Sequence, residues 1–183
     1  YADRPEFKKA LAGRLGLNYA VDELTGVAGL HIAQPVQNGD TVIGVMVLTV
    51  RLDAVQNAWR LRGTPVVLTD DSGIVFLSSQ PDWLYTTTRP LNRDAIQHLA
   101  TSQQYGKDRR FAPIPWTVSG REGDEHYQVS AQIQGVQRDF LALDTRLDAW
   151  NWTLSQTSDL AIARRTRWSA IAFATLACGF VLF

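Results

Sequence analysis

A single cysteine, Cys178, stands in 183 residues, and it lies inside an apolar run. Intramolecular disulfides and cysteine-rich metal sites are thereby excluded, and the lack of cysteine in the polar part is compatible with a periplasmic location. Charge of one sign is lacking too: 18 Lys plus Arg offset 18 Asp plus Glu, for a formal net charge of zero. Without a basic excess there is no electrostatic footprint for nucleic acid, so no nucleic-acid partner is expected. No Gly-rich phosphate loop, nucleophile elbow or HExxH pattern occurs, so no catalytic residue is assigned. The three histidines, His31, His98 and His126, are too dispersed to form a metal set. Asp70-Asp-Ser-Gly73 lacks the later ligands of a calcium loop and reads as a turn. Neither metal nor cofactor is expected.

What is present is a folded composition, 45% hydrophobic and 20% charged, long enough for one sizeable core or two small ones. Two β-rich runs, 30–36 and 41–50, flank Asn38-Gly39, a strong hairpin signal. Asp53 follows as a cap for a short helix through Trp59, ended by Gly63 and Pro65. A second hairpin is predicted over 65–79, turning at 70–73 with Gly73 supplying a positive φ. Residues 92–102 read as a helix. Residues 126–134 alternate, with Tyr127, Val129, Ala131 and Ile133 on one face. A last strand is predicted over 150–157. Hairpins, a helix and further antiparallel strands make an α+β class.

The chain begins without Met or a signal peptide, so it reads as a piece lacking its natural N-terminus. Residues 168–183 carry no charge over 16 positions, just short of the roughly 20 needed to cross a bilayer. They read as a transmembrane helix cut near its end; the alternative is a buried C-terminal helix. Ser158 or Asp159 can cap a helix that runs into this segment without Gly or Pro, a rigid connection between a domain and a membrane. Against an outside location stand Arg164, Arg165 and Arg167 just before the span, which the positive-inside tendency would put in the cytoplasm.

The opening Tyr1-Ala-Asp-Arg-Pro-Glu-Phe-Lys-Lys-Ala-Leu-Ala-Gly13 resembles double-Cache (tandem PAS-like) sensor domains, in particular those of sensor histidine kinases controlling four-carbon dicarboxylate transport. The resemblance continues through Tyr19-Ala, Gly29, Ala33-Gln-Pro-Val36, Gly44-Val-Met-Val-Leu-Thr-Val50 and Leu52-Asp53. It includes Leu68-Thr-Asp70, Gly73, Leu77-Ser-Ser79, Pro81, Trp83 and Pro90-Leu91, and ends at Gln104-Tyr-Gly106 and Trp152-Thr-Leu. It spans nearly the whole chain as a scattered pattern, without one diagnostic signature.

The resemblance implies antiparallel sheets in two PAS-like domains followed by a transmembrane helix. Residues 1–62 would be a membrane-distal ligand-binding domain, truncated at its start. Residues 63–158 would be the membrane-proximal domain, and 159–183 the stalk and second span. The segment would be periplasmic and anchored in a bacterial inner membrane. It would bind a small carboxylate, work as a homodimer, and signal to a cytoplasmic response regulator. The kinase core, which alone would need ATP and Mg, is not in this sequence.

For the ligand, a Tyr and an Arg three apart, as Tyr1 and Arg4 are, hold a carboxylate in the family. On a helical turn the two would share a face, and a guanidinium fork suits a carboxylate; a surface Arg beside Pro5 is the plain alternative. His31, on a strand, belongs either to the pocket or to the core. Dicarboxylate sensors place a Lys where this chain has Thr49, and a hydroxyl-rich loop where it has Asp22-Glu-Leu-Thr-Gly26. Glu23 and Thr25 would then face the ligand, which favours one carboxylate for Arg4 and an amine for Asp22 or Glu23. The other reading leaves both acids in water at a loop start. Two further classes stay open: a chemoreceptor or cyclase sensor, and a membrane-anchored interaction domain with no small ligand.

Overall fold

Pro5 fixes the first element. A proline pushes the residue before it to extended backbone and is itself suited to a helix's first position. Arg4 accordingly caps with φ −69° and ψ 139°, and α1 runs Pro5–Leu11. The expected helical turn shared by Tyr1 and Arg4 is therefore corrected: Arg4 lies outside the helix. The computed structural model describes residues 2–21, 27–61, 63–106, 109–122 and 125–161, with Arg121 and Glu122 as backbone only. Tyr1, the 22–26 loop with Glu23 and Thr25, and most of the stalk and the apolar 168–183 stretch lie outside these residues. Among the described residues no helix is long and apolar enough to cross a membrane.

After α1 the chain forms β1 (Gly16–Val21), β2 (Ala28–Asn38) and β3 (Thr41–Val50), an antiparallel sheet of order β1-β2-β3. Register pairs Asn38 with Thr41, so the hairpin loop is Gly39-Asp40, one residue later than the Asn-Gly pair suggested. Pro35 sits beyond Ala33, the last β2 residue paired with β1, where one side of the strand has no neighbour to bond. The helix lies close on the sheet at Gly16, where a Cβ would come within 2.0 Å of the Glu6 carbonyl oxygen. Only glycine permits that approach.

A short helix, α2 (Asp53–Arg60), leads to the second sheet. Its cap is Leu52, not Asp53: the Asp53 carboxylate accepts from the Arg51 guanidinium instead. Six strands follow: β4 (Val66–Thr69), β5 (Val75–Ser78), β6 (Trp116–Glu122), β7 (His126–Ile133), β8 (Val136–Leu147) and β9 (Trp152–Asp159). They lie in the order β5-β4-β9-β8-β7-β6, and every paired neighbour is antiparallel. Between β5 and β6 comes α3 (Arg93–Ser102), capped by Asn92, whose side chain accepts from the Ala95 N–H at 2.8 Å.

Strand alternation sends consecutive residues to opposite faces, and both faces of this sheet carry a core. Val67, Val75, Val129, Phe140 and Ala142 pack on one side under Trp83 and Ile114. Leu68, Phe76, Leu99 and Tyr105 pack on the other, joined there by Tyr19 of β1. The Asp70–Gly73 turn forms as expected, with Gly73 at φ +84°. Its brace is Asp70, whose Oδ1 accepts from the N–H groups of Ser72 and Ile74 at 3.0 and 2.8 Å.

Candidate functional site

The register of the three-stranded sheet places Asn18, His31 and Thr49 directly opposite one another across β1, β2 and β3. Cross-strand partners share a face, so this is one polar row on the side that α1 covers. Arg4 reaches into it: its Nη1 lies 3.4 Å from His31 Nε2, and His31 Nδ1 lies 2.9 Å from Thr49 Oγ1. A guanidinium has only donors, so Nε2 accepts and Nδ1 carries the hydrogen that Thr49 Oγ1 receives. The buried imidazole links a cation to a hydroxyl.

Glu6 lies beside this row and was not singled out from the sequence. Its side chain is fully buried, its Oε1 is 4.0 Å from Arg4 Nη1, and among the described residues no donor bonds either oxygen. A buried carboxylate without donors is costly, about 1–3 kcal/mol or more. The nearby guanidinium and the first-turn position in α1 compensate in part. The only sequence signal was an acid directly after Pro5, which reads as an ordinary helix start.

Arg4, with its side chain 25% exposed, also lines a cavity of about 380 Å³ with Asn18, Ala20, Ser102 and Gln104. Thus the structure brings Arg4, His31 and Thr49 together, but of these three only Arg4 faces the cavity. His31 is 1% exposed and sits behind Arg4, while Thr49 lies on the exposed outer strand. Tyr1, Glu23 and Thr25 are outside the described residues.

The cavity floor is joined to the second sheet. Asn18 lines the cavity, and Tyr19, the next residue on the strand, turns to the other face. Its ring lies 4.6 Å from Phe76 and 6.1 Å from Tyr105. Its hydroxyl is 3.5 Å from that of Tyr85, over whose ring Arg109 stacks at 3.9 Å. Burial, with the Tyr85 contact adding to it, pushes the Tyr19 phenol well up, so it stays neutral. A backbone bond from Val21 N–H to the Gln104 carbonyl, 2.8 Å, ties the same strand end to the loop after α3.

The chain has counterparts among known proteins. The chain is 30% identical over 161 residues to the C4-dicarboxylate transport sensor protein DctB of Rhizobium meliloti, covering 87% of this chain and 26% of that protein. The Pseudomonas aeruginosa protein of the same name is 29% identical over 135 residues, covering 65% of this chain and 22% of its own length. The crystal structure of the Vibrio cholerae histidine kinase DctB sensor domain superposes with a TM-score of 0.71 at 27% identity, over 87% of this chain and 61% of that one. The chain is similar to DctB proteins in sequence and to the DctB sensor domain in fold. No family model matches, and the chain spans about a quarter of the length of the curated relatives. A chemoreceptor ligand-binding domain from Pseudomonas fluorescens shares the fold at 14% identity and a TM-score of 0.55, covering 90% of this chain and 60% of its own.

The antiparallel, mixed α and β architecture agrees with the expected α+β class. Sequence reasoning missed β1, β6 and β8, and missed Glu6 and the Tyr19 joint. Clean alternation was the signal that found β7; β8, with only Phe140 and Ala142 buried, offered no comparable pattern.

Proposed function

We propose that this chain is the periplasmic ligand-reading segment of a membrane-anchored sensor histidine kinase, and that it binds a small carboxylate at Arg4. In this reading residues 1–62 form the distal, ligand-binding domain, residues 63–158 the proximal domain, and 159–183 the stalk and second span. The full protein dimerises in the inner membrane and passes phosphate from its kinase core to a response regulator.

The observation that carries the proposal is a partly exposed guanidinium at a cavity wall, fixed from behind by the His31–Thr49 pair. A preordered Arg fork accepts a carboxylate bidentately and loses little entropy doing so. The dicarboxylate class is supported by the relatives' names, and Thr49 in place of a lysine leaves a second carboxylate without that cation. A ligand that binds one arrangement of cavity and joint more tightly shifts the population toward it by its differential affinity. The Asn18–Tyr19 step hands that change to the six-stranded sheet, whose last strand leads into the stalk.

Calorimetric titration of the purified chain with succinate, malate and amino acids tests this. Succinate or malate is expected to bind, and Arg4→Ala to weaken binding by at least tenfold. Unchanged affinity in Arg4→Ala would refute the assignment.

A further inference from the structure

The six-stranded sheet carries a cavity of its own, larger than the one at Arg4. It encloses about 510 Å³ and is lined by side chains of β4, β6, β7, β8 and β9 together with the 70–73 turn and Thr88-Arg89. It opens at the end of the core face that holds Val129 and Phe140. Its floor is built of hydroxyls: Thr69, Ser155 and Tyr127 are 4%, 3% and 5% exposed. Trp116, partly buried, forms one wall.

Two charged side chains face each other's neighbourhood there without pairing. Asp144 and Arg146 are two apart on β8, hence on one face and roughly 7 Å apart along the strand. Across on β9 they meet Ser155 and Thr153. Asp144 Oδ1 accepts the Tyr127 hydroxyl at 2.8 Å, and no cation among the described residues comes within ion-pair distance of the carboxylate. Arg146 gives its Nε to Asp148 at 3.1 Å, a pair with both side chains largely exposed and therefore weak and exchangeable. Three further charges, Asp70, Asp71 and Arg89, lie at the rim formed by the 70–73 turn and Arg89. Arg89 holds the Asp71 and Ser72 carbonyls at the rim, and Asp70 braces its own turn.

We infer that this cavity is a second ligand site, for a small zwitterion whose ammonium meets Asp144 and whose carboxylate meets Arg146. The spacing suits a molecule with both charges a few bonds apart: one carboxylate and one guanidinium, side by side, bind opposite ends of a zwitterion better than either end alone. A dianion meets Asp144 as a like charge. A simple cation leaves Arg146 without a partner. The hydroxyl floor satisfies the ligand's remaining polar groups, and Trp116 covers its carbon skeleton. This site is independent of Arg4 and of the carboxylate reading made there.

The test is nuclear magnetic resonance titration of the chain with glycine, L-serine, ethanolamine and succinate, following the Trp116 indole and the Thr153 and Ser155 amides. Glycine or L-serine is expected to shift these signals in the native chain and equally in Arg4→Ala. Asp144→Asn, which keeps the acceptor for Tyr127, and Arg146→Gln should each weaken that response at least tenfold, with the other amide signals in place. Ethanolamine and succinate should act at least tenfold more weakly. The inference is overturned if neither zwitterion moves these signals, or if the shifts survive Asp144→Asn. It is also overturned if the shifts disappear in Arg4→Ala, which would trace them to the other site.

Discussion

The two sheets solve different problems. The six-stranded sheet buries side chains on both faces, with bulky Phe76, Phe140 and Tyr105 almost fully enclosed. The three-stranded sheet buries mainly small or polar groups on its helix side: Ala10, Ala20, Ala33, His31 and Glu6. Its outer strand leaves Ile43, Met46 and Leu48 at 65%, 62% and 56% exposure. Apolar burial supplies stability and polar cavities supply recognition. In the reading proposed above, the first sheet carries the Arg4 site, and the second, besides its own cavity, provides the frame.

The sharpest way to break this contrast is to cut one side chain from each sheet. Phe140→Ala removes a fully buried ring and should cost about 3–5 kcal/mol in urea denaturation. Leu48→Ala, on the exposed strand, should cost under about 1 kcal/mol. Equal losses would show that the second sheet is not the frame.

A second cut falls on the joint. Tyr19→Ala removes a ring that packs on Phe76 and should cost about 3 kcal/mol. It should also raise hydrogen exchange along β1 while the β7–β8 amides stay protected. Tyr19→Phe should cost less than about 1 kcal/mol, because the hydroxyl contact it loses is a long one of 3.5 Å. If Tyr19→Ala leaves β1 exchange unchanged, the three-stranded sheet stands without the frame.

These contrasts also explain what could be read from sequence. Hairpins and β7 were legible because each carries a local signal: a turn pair, or the Tyr127, Val129, Ala131, Ile133 alternation that ends up buried. Strand β8 was not, because charged and exposed residues interrupt its pattern at Arg138, Asp139 and Arg146. Thr49 was legible as a candidate through resemblance, Arg4 through resemblance and its spacing to Tyr1, and His31 through its place on a predicted strand. Their contact depends on the β2–β3 register and on α1 descending onto Gly16, and neither is a local property. Glu6 and Asp144 were invisible for the same reason: an acid's meaning depends on what surrounds it. The Asp53 cap failed because Arg51, two residues away, is a stronger partner than a backbone N–H.

At the reading end, Thr49→Val keeps the strand but deletes the oxygen that receives the His31 Nδ1–H. The imidazole then loses its Thr49 contact, and the support behind Arg4 is weakened. We expect a stability loss of about 1 kcal/mol and a severalfold weaker succinate affinity by calorimetry. Glu6→Gln should move affinity the other way. It removes a negative charge 4.0 Å from the Arg4 guanidinium, leaving more positive potential for an incoming carboxylate. Severalfold tighter succinate binding is the expected outcome, and weaker binding would mean that Glu6 holds Arg4 in place.

The smallest effect concerns the frame and pH. Asp70 is buried, its Oδ1 accepts two backbone N–H groups, and its Oδ2 accepts the Tyr105 hydroxyl at 2.8 Å. Donors lower a carboxyl's pKa and burial raises it; here burial wins and the group sits above its ordinary range. Burial likewise pushes the Tyr105 phenol up, so it remains a neutral donor throughout. Because the folded state holds the Asp70 proton more tightly than the unfolded chain, its contribution is complete below the ordinary carboxylate range, about pH 4. It is lost as pH rises through the raised value. Asp70→Asn keeps the Oδ1 acceptor and removes the titration. Urea midpoints of the native chain should therefore fall relative to Asp70→Asn as pH rises from about 4 to 7. The opposite slope would mean that the three donors outweigh burial and that the turn is held by a charged brace.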